Sequence, residues 1–378
     1  MFCVLIKYML THAFQVFYVS CEAWLPDHPV KPLLEQGETV VPVRLYGDEA
    51  EDHKGKSSLI LTWSCACCHA STLLSRFLIT MLPMCDLVAE ITLNVLYEHV
   101  CWSMQVLMHG KWPHVDPYGK AWPSGSFRAR LAGTPLDPLH AARAALGEFM
   151  GDWKFLKEAL HLVQHYGTRL CCHECKAVHH GPGPSFADFR ADPDWAATSY
   201  THADYISDAG SEVPPLARIP GFHIRMVKPD FMHVLHLGIL LWAIGSCLVT
   251  LLENGFFGNF PGNRNQRFRL QLQEAFVRFK KYCRDRSIVH SQSCFTVGML
   301  SCDKASSWPE FKGKAANSRH VTQWLYNEMC KAGGPELELT LFGALSRCLH
   351  LIHSAAKRRC LMQPASRSSS KLAALRWL

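Results

Sequence analysis

The sequence lacks an internal repeat, a disulfide-like cysteine spacing, a cleavable leader pattern and a strong charge bias. No segment recurs at a fixed period, which removes repeat architectures. The seventeen Cys are odd in number, scattered and in places adjacent, as at Cys67 and Cys68 or Cys171 and Cys172. That is a poor disulfide framework and fits an intracellular, reducing location with some thiols used for metal. The apolar residues 1–19 include Lys7, His12 and Gln15, and no small-residue cleavage site precedes Glu22, which argues against a secretory signal. Residues 234–252 are long enough to span a bilayer. They contain His236, Gly238, Gly245 and Ser246, begin beside Asp230 and His233, and have no basic cluster at either end. A buried core helix is therefore expected, with a membrane-anchored protein as the alternative. Lys and Arg outnumber Asp and Glu by 39 to 32, a net charge of +7. That excess favours a polyanionic partner without requiring one.

What is present is enough for a folded protein of one large or two ordinary domains. The chain has 378 residues, 48% of them hydrophobic and 11% aromatic, sufficient for a sizeable core. Residues 39–46 are β-branched and apolar and run into Gly47-Asp48-Glu49, predicting a strand whose end presents acids. Residues 57–67 and 76–82 read as two more strands, and 144–150 as a fourth that ends at Gly151-Asp152. Helical spacing of Val88, Ile91, Val95, Val100 and Met104 predicts a helix over 87–109, stopped at Gly110. The Pro-, Gly- and Trp-rich residues 111–138 read as a loop holding a short strand at 127–131. A helix is expected over 154–166, with Phe155, Leu156, Ala159, Leu160 and Val163 on one face and Gly167 closing it. Residues 231–254 and 267–286 are further helices. From about residue 364 a Ser- and Arg-rich tail follows.

Chemistry-bearing residues fall into two sets. In Cys172-His173-Glu174-Cys175 a C-x2-C turn presents two thiolates at tetrahedral spacing, half of a zinc site. A redox dithiol or two buried thiols are the rival readings. His233 and His236, at i and i+3 on the expected helix, would supply the missing ligands, and Asp230 one turn earlier could orient His233. The second set is acidic. Asp48 and Asp152 each follow a strand, and carboxylates at neighbouring strand ends can hold two divalent ions, Mg2+ or Mn2+, for phosphoryl transfer. Two basic stretches could face a polyanion: Arg278 to Arg286, with five cations and two aromatics interleaved, and Lys312, Lys314, Arg319 and His320. Solvated helix faces have the same composition.

The run Gly151-Asp152-Trp153-Lys154-Phe155-Leu156, then His165-Tyr166-Gly167 and Cys172-His173-Glu174-Cys175, resembles the second-Asp and zinc-knuckle region of CACTA (En/Spm-like) and Plavaka-type transposases. Asp230-Phe231-Met232-His233 resembles the D-x-M-H element of those proteins, and Gly47-Asp48 sits where their first catalytic Asp would lie. The likeness is at the level of motifs and spans residues 40–253. It implies an α/β (α+β) protein with an RNase H-like mixed sheet flanked by helices, a zinc-braced insertion and a helical C-terminal part. It further implies a DNA nuclease and strand transferase that uses two divalent metal ions, with Asp48 and Asp152 as catalytic acids and Glu253 as the nearest candidate for the third.

The organisation expected from these readings is an N-terminal segment at 1–38, an RNase H-like core at 39–254 with a zinc-binding region at 167–236, a helical basic region at 255–363 and a disordered tail at 364–378. Structural Zn2+ is assigned to Cys172, Cys175, His233 and His236. The expected partner is DNA, acted on by a homo-oligomer in a nuclear or otherwise intracellular setting. A catalytically dead, zinc-stabilised nucleic-acid-binding protein is the alternative from a different class.

Overall fold

The structure, a computed structural model, describes residue 14 and residues 17–51, 55–68, 72–88, 91–138, 141–165, 167–210, 212–301 and 308–360. It is mixed α/β and divides into two compact units, Met1–Asp230 and Phe231–Leu378. Asp48, Asp152, Cys172 and Cys175 therefore belong to the first unit, and His233, His236 and Glu253 to the second. The expected tail at 364–378 and most of the apolar residues 1–19 lie outside the described residues.

The first unit holds a four-stranded mixed sheet in the order β3-β2-β1-β4, formed by β1 (Val40–Glu51), β2 (Ser57–Cys65), β3 (Phe77–Pro83) and β4 (Arg143–Gly151). The first three strands form an antiparallel meander, and β4 lies parallel to β1 on its other side. Val43, Leu45 and Gly47 of β1 are buried, while Arg44, Tyr46 and Asp48 alternate onto the opposite face. On β4, Phe149 and Gly151 share the buried face, and Glu148 stands beside Arg44 in an ion pair with N–O 2.5 Å.

A β-bulge interrupts the parallel ladder. Val43 faces Leu146, but Arg44 faces Glu148, so Gly147 is the extra residue and the rest of the ladder is advanced by one. Beyond the bulge the pairing runs to Gly47 opposite Gly151.

Helix α1 (Ile91–His109) packs on β4 through Tyr97, Val100, Cys101 and Met104. Of the face expected from spacing, only Val100 and Met104 are buried. Val88, Ile91 and Val95 are exposed at 59%, 66% and 47%, because the buried stripe is set by β4 and the 215–218 turn. Residues 127–131, expected as a strand, are instead a short helix, Phe127–Leu131. Ser126 caps it by accepting from the Ala129 N–H, and a satisfied N-cap outweighs the alternation in FRARL.

Helix α2 (Trp153–Leu160) is shorter than the expected 154–166. His161 turns left-handed at φ 50° and its N–H returns to the Lys157 carbonyl, ending the helix before the expected 166. Phe155, Leu156, Ala159 and Leu160 are buried as expected, whereas Val163, past the end, is 40% exposed. The N-terminal segment contributes Tyr18, Trp24 and Val30 to the same core.

In the second unit a π-helical stretch, Met232–Ile239, leads into α4 (Leu240–Glu253). This follows α3 (His202–Ala209) of the first unit and precedes α5 (Arg264–Asp285), α6 (Ala315–Ala332) and α7 (Glu336–Cys360). The combined span Met232–Glu253 is long and apolar enough to cross a membrane. Here Leu240, Ile244, Leu248 and Leu251 are buried in a cluster with Phe257, Phe279 and Trp324, the arrangement of a core helix.

The glycines facing each other across β1 and β4 leave no room for a side chain. A Cβ on Gly47 would lie 2.1 Å from the Phe155 ring, and one on Gly151 would lie 2.4 Å from that ring and 2.6 Å from the Gly47 carbonyl oxygen. Gly151→Ala should cost roughly 1–3 kcal/mol of unfolding free energy by overpacking, read from the urea midpoint. Gly167→Ala, where the nearest atom is 3.6 Å away, should cost far less. A second outcome concerns acid. Burial pushes the His28 imidazole down to about 4, and burial followed by the neighbouring His202 does the same for His223. Both fold neutral, so the stability they support is complete above the unfolded value near 6.5 and is lost as pH falls towards 4. His28→Gln should flatten the fall in urea midpoint across that window.

Candidate active site

Asp48 stands inside β1, not at its end. The strand continues to Glu51 because β2 still pairs with it, Asp48 opposite Ile60. On the β4 side, however, the ladder stops at Gly47 and Gly151, so Asp48 and Asp152 are the first residues beyond it on two adjacent parallel strands. The bulge at Gly147 sets this match. Without the one-residue advance, Asp48 would stand opposite Gly151.

Both acids are held. The Tyr46 hydroxyl donates to Asp48 Oδ2 at 2.7 Å, and the Arg76 guanidinium lies 4.4 Å from the Tyr46 ring centroid. Asp152 is the N-cap of α2. Its Oδ1 accepts the Phe155 N–H at 2.6 Å, and its extended backbone, φ −66° and ψ 164°, turns the chain from strand to helix.

A third acid reaches this neighbourhood that the sequence did not single out for it. Val227 bridges Phe149 in the parallel sense, and the Lys228 N–H donates to the Phe149 carbonyl at 2.9 Å, so residues 227–228 extend the sheet beside β4. Three residues on from Phe149 is Asp152, and three on from Val227 is Asp230. The Tyr46 phenol reports the same placement. Burial first, then the bond to Asp48, then the charges of Asp48 and Asp230 hold its pKa well above the usual tyrosine range. The D-x-M-H resemblance had drawn Asp230 towards His233. Only the pairing of 227 with 149, invisible in a single sequence, brings it towards Asp48. Glu253, expected as the third acid, closes α4 in the second unit and is ion-paired with Arg264 at 2.6 Å. Among the described residues no three of His, Cys, Asp and Glu converge closely enough to hold an ion as a group.

The cysteine motif folds as a knuckle. The Cys172 and Cys175 side chains are hydrogen-bonded to one another, and Cys172 Sγ accepts the Glu174 N–H at 3.3 Å. The bond from Cys175, together with the backbone N–H groups, holds the Cys172 thiol below its ordinary range, while Cys175 is raised. No helix opens at the motif, unlike a redox dithiol. His173, between them, is 2% exposed. Its ring packs 5.1 Å from that of Trp153, and its Nε2 lies 3.3 Å from the Val227 carbonyl. The knuckle is thus fixed to the residue after Asp152 and to the segment that leads to Asp230. Glu174 pairs with Arg225, and Lys176 with Asp204 at 3.0 Å.

His233 and His236 lie in the π-helical stretch of the second unit. An i→i+5 ladder winds more than four residues per turn, so residues three apart are roughly a third of a turn off a common face. The i, i+3 spacing expected to align them therefore applies less well than in an α-helix. A second hydrogen-bonded thiol pair, Cys65 and Cys67, ends β2. The adjacent cysteines in the sequence were its only signal.

Compared with known proteins, the chain matches no family model and no curated protein sequence.

Because Asp152 caps α2, its two roles separate by substitution. Asp152→Ala should lower the unfolding free energy by about 1 kcal/mol through loss of the cap, and Asp152→Asn, whose amide oxygen caps equally well, should leave it nearly unchanged. Equilibrium urea unfolding of both variants checks this.

Proposed function

We propose that the chain is a transposase-derived DNA nuclease and strand transferase on an RNase H-like core, with Asp48, Asp152 and Asp230 as its acidic set. The observation that carries this reading is their common edge. The parallel pairing that joins β1, β4 and 227–228 stops just before these acids, although β1 itself runs on to Glu51 against β2. An antiparallel meander with the fourth strand parallel to the first agrees with the mixed sheet of such a core. The motif resemblance around Asp152 to Cys175 and at Asp230 to His233 points to the same class.

Carboxylate oxygens are the donors that Mg2+ and Mn2+ select. Such ions, when bound, supply the charge that activates the attacking oxygen and stabilises the leaving one in phosphodiester chemistry. The chain's own part is positional. Tyr46 fixes the rotamer of Asp48, the α2 cap fixes Asp152, and the Phe149–Val227 bridge sets the approach of Asp230. Asp230 takes the third place in this reading, ahead of Glu253, which is engaged by Arg264. Cys172 and Cys175 are the proposed zinc ligands of the first unit. His233 and His236 are the His donors assigned with them by the resemblance. A nuclear or otherwise intracellular setting, and a homo-oligomer for the active form, go with a DNA substrate.

A second reading keeps the fold without the cutting: a zinc-stabilised nucleic-acid-binding protein. It is favoured by the commitment of one Asp152 oxygen to the α2 cap and by the absence of a converged three-acid group among the described residues.

Purified protein should carry zinc by elemental analysis and should nick or cleave duplex DNA in Mg2+ or Mn2+. Asp152→Asn and Asp230→Asn should each lower cleavage by roughly a hundredfold or more, while Glu253→Gln leaves it unchanged. The reverse ranking of Asp230 and Glu253 would return the third place to Glu253. DNA binding without cleavage in either ion would select the second reading.

A further inference from the structure

We infer that the outer face of α5 is a phosphate-binding surface that holds duplex nucleic acid along its backbone. The inference rests on the DNA-directed reading above for the kind of partner, and on α5 itself for the place. From Arg264 to Arg286 the chain carries eight cations, six of them Arg, against two acids, Glu274 and Asp285. That leaves six of the seven net positive charges of the whole chain on one helix.

The charges are not spread evenly around it. Phe268, Leu272, Ala275, Phe279, Tyr282 and Cys283 are buried and bind α5 into the core of its unit. At about 100° per residue, Arg269, Gln273, Lys280 and Arg284 fall within about 60° of one another away from that buried side, and all four are exposed. The helix spans about 33 Å between its outermost cations, close to one turn of B-form duplex.

Two features separate this face from an ordinary solvated one. Solvated helices offset their cations with acids three or four residues away. Here Arg278 and Lys281 have such partners in Glu274 and Asp285, but Arg267, Arg269 and Lys280 pair with no carboxylate among the described residues. The N-terminal end is also the wrong end for cations. No acid stands in the first turn, while Arg264, which pairs with Glu253, and Arg267 lie at the positive pole of the helix dipole and Arg269 follows just beyond. That arrangement weakens the isolated helix and strengthens its attraction for anions. An anionic bilayer would meet the same charge, but the apolar face that a membrane-binding helix inserts is buried in the unit's own core. The prevalence of Arg also suits the forked, two-point contact made with phosphate.

The test is equilibrium binding of full-length protein to a fluorescent duplex of about 20 base pairs without added Mg2+ or Mn2+, with affinity followed against salt. The triple variant Arg269→Gln, Lys280→Gln, Arg284→Gln should weaken binding about tenfold to a hundredfold near 0.1 M salt. It should also flatten the log–log salt slope by about 2.7, at about 0.9 per phosphate contact. Lys120→Gln, an exposed cation of the first unit, serves as control and should change neither. Circular dichroism should be unaltered, since all three positions are exposed. An unchanged slope in the triple variant overturns the inference. So does binding to vesicles of 3:1 phosphatidylcholine to phosphatidylserine that matches or exceeds binding to duplex. Asp152→Asn should bind with the wild-type slope. A slope that falls as expected in a protein that never cleaves would uphold this surface and reject the nuclease. Cleavage with unchanged DNA affinity in the triple variant would do the opposite.

Discussion

The first unit depends on one close contact, the Phe155 ring seated over Gly47 and Gly151. Two strands can bring their backbones together there only because neither residue has a side chain, and the ring fills the space that two side chains would have needed. The contact ties α2 to β1 and β4 at the level where their mutual pairing ends and Asp48 and Asp152 follow. Phe155 also supplies the N–H that Asp152 caps. Packing, helix initiation and the orientation of an acid thus meet in one residue. Behind it, Trp153 carries the same order to His173 and the cysteine knuckle.

Much of this was legible in the sequence. The four strands fell within a few residues of their expected places, since β-branched runs closed by Gly-Asp carry both pattern and punctuation. Cys172 and Cys175 lie on one turn, as their spacing implied, with Cys172 Sγ accepting the Glu174 N–H. What escaped was non-local. The bulge at Gly147, the parallel sense of β4 and the bridge from Phe149 to Val227 are properties of pairing, and no single strand encodes its partner. Asp230 was read through its neighbours in sequence, where the resemblance lay, while the Phe149–Val227 bridge brings it towards Asp48. Local errors had local causes. Ser126 capped a helix where alternation suggested a strand, and His161 took a left-handed turn that residue type alone does not announce.

The second unit is built differently. Its core is a stack of aromatic and aliphatic side chains from four helices, with Trp324, Phe279 and Phe268 fully buried. Its most apolar helix, which by composition alone could belong in a bilayer, lines that core. Hydropathy measures the cost of exposing a segment to water and does not distinguish lipid from protein as the cover. The opposite extreme lies on the next helix, where almost all of the chain's net charge is gathered. Segregating charge on one element keeps the core of the unit dry and concentrates the field on one side of that element.

The N-cap at Asp152 has a consequence for how such a protein ages. If Asp152 is catalytic as proposed, it is under two kinds of selection, and only one of them distinguishes Asp from Asn. Once the reaction is no longer needed, a single-base drift to Asn removes the charge and keeps the hydrogen bond. Such a descendant would fold, persist and pass every test of stability. For a chain of the proposed kind, an intact fold is therefore a poor witness to a living activity, and the identity of one cap residue is a better one.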